Sequence, residues 1–317
     1  MAPPWVLMRP PGNFDPMFLP TPRNRRRRPY GLFVRSSILI LGLIVLAISL
    51  MGWELTLSSG RTASATKVSA VDTSSLRATS KALTGYGVAN TAGVVATFGG
   101  AAFHGDQTTG LSGSVVAITA TPDAKGYWLV TTTGEVLGYG DALSYGSAKD
   151  TSASSPIVSM AATHDGKGYW LVSSSGQVLA FGDAVPYDST PDPTLSGSVV
   201  AITATPDAKG YWLVTTTGEV LGYGDAVSYG SAKDTSASSP IVSMAATRDG
   251  KGYWLVSSSG QVLTFGDAVS YPGMTGQTVT GSIVNMAVTS DGDGYILVAA
   301  DGSIFAFGDA SSNWLSG

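Results

Sequence analysis

The chain has 317 residues, a formal net charge of −4 at pH 7 and no cysteine, so disulfide bonds are excluded. Its charge is divided unevenly: residues 1–36 hold seven Arg and one Asp, a net charge of +6, whereas residues 66–317 hold ten basic and twenty acidic residues, a net charge of −10. A part that acidic is a poor partner for a phosphate backbone or an anionic lipid surface.

The first 60 residues differ in composition from the rest. Half of the 16 prolines lie in the first 29 residues, and without a hydrophobic period residues 1–35 are predicted to be a disordered, basic cytoplasmic tail. Residues 36–53 are uncharged, and as a helix of about 27 Å they can span a bilayer core of about 30 Å. Arginines keep the preceding side in the cytoplasm. The sequence therefore predicts a single-pass signal anchor with an extracellular C-terminal domain, and the Arg run is interpreted as a topology signal, not as a nucleic-acid site.

The same hydrophobic segment also fits a cleaved signal peptide. Small residues at 63–65 and 68–70 would serve as cleavage sites, and the repeats would then be secreted. Residues 54–84, rich in Ser, Thr and Ala, are predicted to form a stalk. This stalk is also expected to contain, at Val68–Thr73, the first strand of the earliest repeat.

From residue 85 onward the chain repeats itself with a period of 42 residues. Each clear unit contains Gly-Tyr-Trp-Leu-Val or a close variant, a Gly turn, and then Tyr/Phe-Gly-Asp-Ala. Equivalent positions are Tyr127, Tyr169, Tyr211, Tyr253 and Tyr295, and Asp141, Asp183, Asp225, Asp267 and Asp309. A period of about 40 to 45 residues rich in β-formers is typical of β-propeller blades. Residues 85–317 are therefore predicted to form an all-β propeller of six blades, five clear and one degenerate; the alternative is seven blades, completed by pairing with another chain.

Each unit is predicted to contain four short strands. In the first clear unit they are placed at 116–120, Tyr127–Thr131, Val136–Tyr139 and Leu143–Ser147. The second strand is apolar at consecutive positions, so both of its faces should be covered, as in the middle of a packed blade.

The copies differ in age. Residues 111–185 and 195–269 are identical except at three positions, which indicates a recent duplication of a two-unit block. The degenerate unit is one residue shorter and has Gly87 and Gly100 in place of the Trp and the Asp. Identity between the duplicated blocks therefore carries no information about function.

The turn before each second strand has the pattern Thr-x-Asp-x-Lys-Gly, with Asp in place of Lys in the last unit. The pattern resembles the Asp-box hairpin of sialidase-type propellers, and the resemblance implies that the Asp binds the backbone amides of its own hairpin. Asp291 and Asp293 are spaced as in a calcium loop, but Tyr295 and Ile296 follow where oxygen ligands are needed. A tight turn is predicted there, and no metal or cofactor site.

The longer phrase Gly-Lys-Gly-Tyr-Trp-Leu-Val-Ser-Ser-Ser-Gly-Gln-Val-Leu-Ala-Phe-Gly-Asp-Ala, at 166–184, carries a second resemblance. It resembles the GYWLVxxDGGIFxFGDA repeat of secreted and surface-anchored actinobacterial proteins, over residues 85–317. That resemblance implies β-propeller modules outside the cell and offers no activity. Most units here depart from it, with Thr-Thr-Gly-Glu or Ser-Ser-Gly-Gln where Asp-Gly-Gly is usual.

The residue inventory gives little support to catalysis. Only three arginines follow the hydrophobic segment, too few for the cluster with which a sialidase holds a carboxylate. His104, at a position equivalent to Tyr145, and His164, in a hairpin turn, are interpreted as surface histidines. Glu135 and Glu219 could form a carboxylate pair for glycoside hydrolysis, but duplication alone explains their presence.

The candidate binding residues lie in the loops between second and third strands, which are expected to project onto one face of the propeller with the loops between blades. They are Thr132, Thr133, Glu135, Ser174, Gln177, Thr216, Thr217, Glu219, Ser258 and Gln261. Short hydroxyls and amides repeated around a ring favour a binding or scaffold module for cell-wall glycan or a surface protein, with avidity for a polymer. The alternative is a hydrolase or lyase acting on extracellular polysaccharide.

Overall fold

The computed structural model describes residues 68–72, 85–151, 153, 155–187, 194–234, 237, 239–271 and 281–310. The chain divides into two units, 1–61 and 62–317, and every described residue belongs to the second. The predicted tail, the membrane segment 36–53 and most of the stalk lie outside the described residues. Within the described ranges, no helix is long and apolar enough to cross a membrane.

The described residues form eighteen strands, which group in chain order into six sets of three antiparallel strands, each set being called a sheet below. The first three sheets consist of β1 (Val68–Asp72), β2 (Gly85–Asn90) and β3 (Val95–Gly99); β4 (Val115–Ala120), β5 (Gly126–Thr131) and β6 (Val136–Gly140); and β7 (Ile157–Ala162), β8 (Gly168–Ser173) and β9 (Val178–Gly182). The last three consist of β10 (Val199–Ala204), β11 (Gly210–Thr215) and β12 (Val220–Gly224); β13 (Ile241–Ala246), β14 (Gly252–Ser257) and β15 (Val262–Gly266); and β16 (Ile283–Val288), β17 (Gly294–Ala299) and β18 (Ile304–Gly308). Residues Ala148–Asp150 and Ala232–Asp234 form short 3₁₀ helices.

Strand β1 completes the degenerate first unit. It pairs antiparallel with β2, with Val68 opposite Asn90, and it also pairs in parallel with β4, with Val71 opposite Ile118. The first two sheets are thereby joined into one six-stranded sheet. The strand predicted at Val68–Thr73 is confirmed, ending one residue earlier.

The second strands of the five clear units are buried at every position, as their sequence predicts. In β5 the leading residue must be Gly126, because a Cβ there would lie 2.3 Å from the carbonyl oxygen of Tyr139 and 2.6 Å from the Asp141 carboxylate. Trp128, Leu129 and Val130 then fill the space on both faces of the strand. The repeated motif is thus the sequence of a middle strand that is covered on both faces.

The Tyr and the Trp of the motif tie different parts of the chain together. Trp128 Nε1 donates to the carbonyl of Leu143, fifteen residues later in the same unit, at 2.7 Å. Tyr169 Oη, in contrast, accepts from the amide of Tyr145 in the preceding unit at 3.0 Å and donates to the carbonyl of Gly146 at 2.5 Å. The segment that connects the last strand of one sheet to the first strand of the next is called the crossover below. The motif Trp therefore binds the crossover that leaves its own sheet, and the motif Tyr binds the crossover that arrives from the previous sheet.

The fourth strand predicted at Leu143–Ser147 is wrong. These residues are irregular and pair with no strand. The backbone of Tyr145 and Gly146 is hydrogen-bonded to Tyr169 of the next sheet. This segment therefore cannot run alongside β6 as a fourth strand. The sheets therefore have three strands, and the crossover fills the space between neighbouring sheets.

Six core clusters hold the sheets against one another. Five of them join consecutive sheets, from the first with the second to the fifth with the sixth. The remaining cluster joins Tyr86 of the first sheet to Ala287, Ile296 and Val298 of the sixth. The architecture is an all-β repeat of three-stranded antiparallel sheets, consistent with a β-propeller-like fold.

One turn position is strained in two of the copies. Ala124 and Ala208 have φ values of 59° and 56°, in the left-handed region, whereas the equivalent residue in the other units is Gly166, Gly250 or Gly292. Replacing Ala124 by Gly should raise the free energy of unfolding by about 0.5 to 1 kcal/mol, because relief of the left-handed strain exceeds the added entropy of Gly in the unfolded chain. Urea unfolding measures the difference.

The matched control is Gly166→Ala. That Cβ would lie 2.8 Å from Pro122 Cδ in addition to adopting the strained φ, so stability should fall by at least about 1 kcal/mol. Equal effects of the two substitutions would contradict this account of the turn.

Candidate functional site

The ten candidate binding residues lie where the sequence places them, in equivalent hairpin loops at the same end of the second to fifth sheets. Thr133, Thr217 and Gln261 are exposed, and the others are half-buried. The segments that lead into the first strands meet the same loops, since Ser112 bonds to Thr133 and Ser196 to Thr217. Each segment between sheets starts at the opposite end, where the third strand ends, and only its last part reaches these hairpins.

The first residue of each loop connects neighbouring sheets through its backbone. Thr132 donates its amide to the carbonyl of Ser114 at 2.8 Å and accepts from the amide of Ile157, in the next sheet, at 2.9 Å. Ser174, Thr216 and Ser258 make the same pair of bonds in their own sheets. These four residues are therefore structural bridges, and the Thr132 and Thr216 hydroxyls also accept from the amides of Ser114 and Ser198.

Glu135 and Glu219 are also used within the fold. Glu135 accepts from the Ser112 amide at 2.7 Å through one carboxylate oxygen and from Lys149 Nζ at 2.8 Å through the other. Glu219 repeats the arrangement with the Ser196 amide, at 2.9 Å, and Lys233. Because both oxygens of each carboxylate are already hydrogen-bonded, these residues are poorly placed to act as a general acid and base.

The remaining loop side chains are supported in the same way. Thr131 Oγ1 lies 2.9 Å from Thr133 Oγ1 and accepts from the Glu135 amide, and Ser173 and Ser257 accept from the amides of Gln177 and Gln261. The loops are internally hydrogen-bonded polar hairpins that lie at one end of the sheets.

The Glu135 ion pair gives a prediction with a defined pH dependence. The Lys149 ammonium and the Ser112 amide hold the pKa of Glu135 below its usual range. A depressed folded pKa contributes stability above the unfolded pKa of about 4.3, and that contribution is lost as pH falls through the folded pKa. Glu135→Gln should therefore cost about 0.5 to 1 kcal/mol at pH 7 and progressively less as the pH is lowered through the folded pKa, as measured by urea unfolding.

The copy in the duplicated block is the matched control. Glu219→Gln should lower stability by the same amount at pH 7, because Glu219 has the same partners. A cost for Glu135→Gln that stays constant as the pH is lowered into the acid range would show that its origin is not the ionised carboxylate.

The Asp turns lie at the opposite end of the sheets, and their structural role is confirmed. Asp123 accepts from the Lys125 amide at 3.2 Å and pairs with Lys125 Nζ at 2.8 Å, and this hydrogen-bonded ammonium lowers the pKa of Asp123 to about 2. Thr121 Oγ1 lies 3.0 Å from the Asp141 carboxylate and accepts from the Gly126 amide. In the last unit Asp291 accepts from the Asp293 amide at 3.3 Å, as a turn residue does.

The two histidines differ from each other. His164 is exposed, as predicted. The prediction of a surface residue is wrong for His104, which is half-buried in the junction between the first and second sheets and has its Nε2 atom fully buried. Its ring lies 5.8 Å from that of Tyr127. The sequence contained a signal for this, because His104 occupies a position where four other units have Tyr.

A cavity of about 80 Å³ lies between the first strands β4, β7, β10, β13 and β16. A valine from each strand borders it: Val116, Val158, Val200, Val242 and Val284. Among the described wall residues, the one amide side chain is that of Asn285, which accepts from Ser243 Oγ at 2.9 Å. None of the described wall residues is titratable, so acid–base chemistry in this cavity would need a group from outside them.

No protein-family model and no curated protein matches the chain. Solved structures that resemble it include a structural genomics protein of unknown function from Bacteroides thetaiotaomicron. That structure is 13% identical in sequence, with a TM-score of 0.47, and the alignment covers 71% of this chain and 67% of the other.

Proposed function

We propose that the chain is a membrane-anchored, extracellular β-propeller of six blades that acts as a binding or scaffold module for cell-surface glycan or protein. The observation that supports this best is the repetition of one internally hydrogen-bonded polar hairpin at the same end of successive sheets. A surface of that kind suits a ligand that repeats, because many weak contacts then add up.

Closure of the six sheets into one ring is part of the proposal. Tyr86 of the first sheet packs on the sixth sheet, and each remaining core cluster joins one sheet to the next. A ring leaves no terminal sheet with an uncovered apolar face, as a linear array would. It also gives the inner strands a common axis, around which the repeated hairpins would be arranged.

The location rests on the composition of the N-terminal segment. With the arginines of residues 23–35 inside the cell and residues 36–53 across the membrane, the repeats lie outside. Alkaline phosphatase fused after Gly317 should be active and the same enzyme fused after Arg28 inactive. The reverse pattern would overturn the extracellular location, and a mature N-terminus near residue 66 or 71 would replace the anchor by a cleaved signal.

The binding function is tested with the full chain purified in detergent. It should be retained by insoluble cell-wall glycan and released by soluble glycan polymer at concentrations at least tenfold below those needed with the corresponding monosaccharide. The same samples are assayed for soluble sugar release. Failure to bind any wall fraction would overturn the proposal, and release of sugar that is lost in a Glu135→Gln, Glu219→Gln double variant would favour the hydrolase.

A further inference from the structure

The junctions between neighbouring sheets share an aromatic arrangement. A Tyr from the crossover of one sheet packs edge-on against the motif Tyr of the next, with ring centroids 5.7 to 5.9 Å apart. The pairs are Tyr145 with Tyr169, Tyr187 with Tyr211, Tyr229 with Tyr253 and Tyr271 with Tyr295. In two junctions the crossover Tyr also donates its hydroxyl to the next Asp turn, from Tyr229 to Gly250 and from Tyr271 to Gly292.

The junction between the first and second sheets departs from this arrangement. Here His104 takes the place of the crossover Tyr and packs on Tyr127. Tyr127 Oη fixes the segment, because it accepts from the His104 amide at 3.3 Å and donates to the Gly105 carbonyl. An imidazole is shorter than a phenol, so its outer nitrogen stops short of the position where the tyrosine hydroxyls find their acceptor.

Two buried polar atoms at this junction have no hydrogen-bond partner. Among the described residues, the buried side-chain nitrogen and oxygen atoms that make no hydrogen bond are His104 Nε2 and Tyr139 Oη. Both rings pack against the same residue, Tyr127. Packing does not require the Tyr139 hydroxyl, because the equivalent residue is Phe in four other units: Phe98, Phe181, Phe265 and Phe307.

Buried polar groups in native proteins are almost always hydrogen-bonded, and exceptions call for a partner. The Asp106 carboxylate is close enough to raise the pKa of Tyr139, together with burial, which is the larger cause. A negatively charged ligand would be repelled by that carboxylate, and an apolar one would leave both atoms unpaired. No group of three metal-ligating side chains occurs within the described part of the chain. A neutral hydroxyl, which can both donate and accept, fits the pair best.

We propose that the junction formed by His104, Tyr127, Tyr139 and Asp106 binds one sugar residue, a proposal that rests on the glycan-binding function above. One sugar hydroxyl donates to His104 Nε2 and accepts from Tyr139 Oη, and a neighbouring hydroxyl bonds to Asp106. Entry requires a rotation of the half-buried His104 ring, which stands in the irregular segment between β3 and β4. Tyr127 is a positioning residue, since it holds the backbone of His104.

The test uses NMR on the full chain in detergent, titrated with methyl glycosides of glucose, galactose, mannose and N-acetylglucosamine. The chain has two histidines, so the imidazole signals of His104 and His164 can be distinguished by a single His164→Arg variant. At least one glycoside should shift the His104 signals and leave those of His164 in place. Saturation transfer to the ligand protons measures the affinity of each variant.

Two variants remove the site by installing residues that other units already carry. Tyr139→Phe should weaken binding by about 3- to 10-fold, the loss of one hydrogen bond, and His104→Tyr should abolish it while the chain stays folded. The matched control is Tyr223→Phe, the same substitution two units away beside Tyr187, which should leave binding unchanged.

The outcomes separate this proposal from the one it rests on. No response of His104 to any glycoside, or equal affinity in Tyr139→Phe, would overturn the site and leave an ordered water as the partner of both atoms. If His104→Tyr still binds insoluble glycan as wild type does, the glycan function stands and the site lies elsewhere. If glycosides bind here but no wall fraction retains the chain, the site stands and the polymer-binding function fails.

Discussion

Replacement of Trp170 by Ala should lower the free energy of unfolding by about 3 to 5 kcal/mol. The Trp170 side chain is completely buried and packs against Tyr211 of the next sheet, with ring centroids 5.6 Å apart. Its Nε1 also donates to the carbonyl of Val185 at 2.8 Å, so the crossover that separates two sheets loses its anchor. Urea unfolding followed by tryptophan fluorescence measures the change.

Two further variants divide this effect. Trp170→Phe retains most of the apolar volume but loses the bond to Val185, and should cost about 1 to 3 kcal/mol. Val185→Ala is the surface control, because the Val185 side chain is half exposed and only its carbonyl is used; it should change stability by less than about 0.5 kcal/mol. A loss for Trp170→Ala no larger than that control would contradict the role assigned to the motif Trp.

Deletion of residues 281–317 should unfold the repeats or make them associate. The sixth sheet covers Trp254 and Val256 on one side and Tyr86 on the other, so its removal exposes two apolar faces that were buried against it. Light scattering after gel filtration and thermal unfolding follow the two consequences.

Deletion of residues 1–35, which no described sheet includes, is the control and should leave the thermal midpoint unchanged. A monomer that lacks residues 281–317 and keeps the wild-type midpoint would favour an open solenoid, in which the loss of one end matters little.

The period of the sequence was sufficient to predict the sheets but not the path between them. Tyr-Trp-Leu-Val predicts a strand buried on both faces, because successive side chains of a strand point to opposite faces and all four here are apolar. The crossover at Leu143–Ser147 is short and rich in residues common in strands, but its path is decided by hydrogen bonds to Tyr169 in another sheet. Local sequence does not contain that information.

The candidate site shows the same division. The sequence placed Glu135 on the correct hairpin. Its carboxylate, however, accepts hydrogen bonds from Ser112 and Lys149, which are distant in sequence. The prediction for His104 is wrong because it considers that residue without its equivalents in the other units. Its departure from the Tyr of the other units, together with the change from Phe181 to Tyr139, is the pattern that marks a junction with unpaired polar atoms.

The central claim, that the six sheets form one closed ring, can be tested by comparing distances between equivalent positions of the repeat. Ala92, Thr217, Ser259 and Asp301 occupy equivalent positions in the second-to-third-strand hairpins of the first, fourth, fifth and sixth sheets. The chain has no cysteine, so spin labels can be attached to engineered cysteine pairs. Pulsed electron paramagnetic resonance should give the Ala92–Asp301 pair the same distance as the Thr217–Ser259 pair, which spans two adjacent sheets. A much longer Ala92–Asp301 distance would contradict closure.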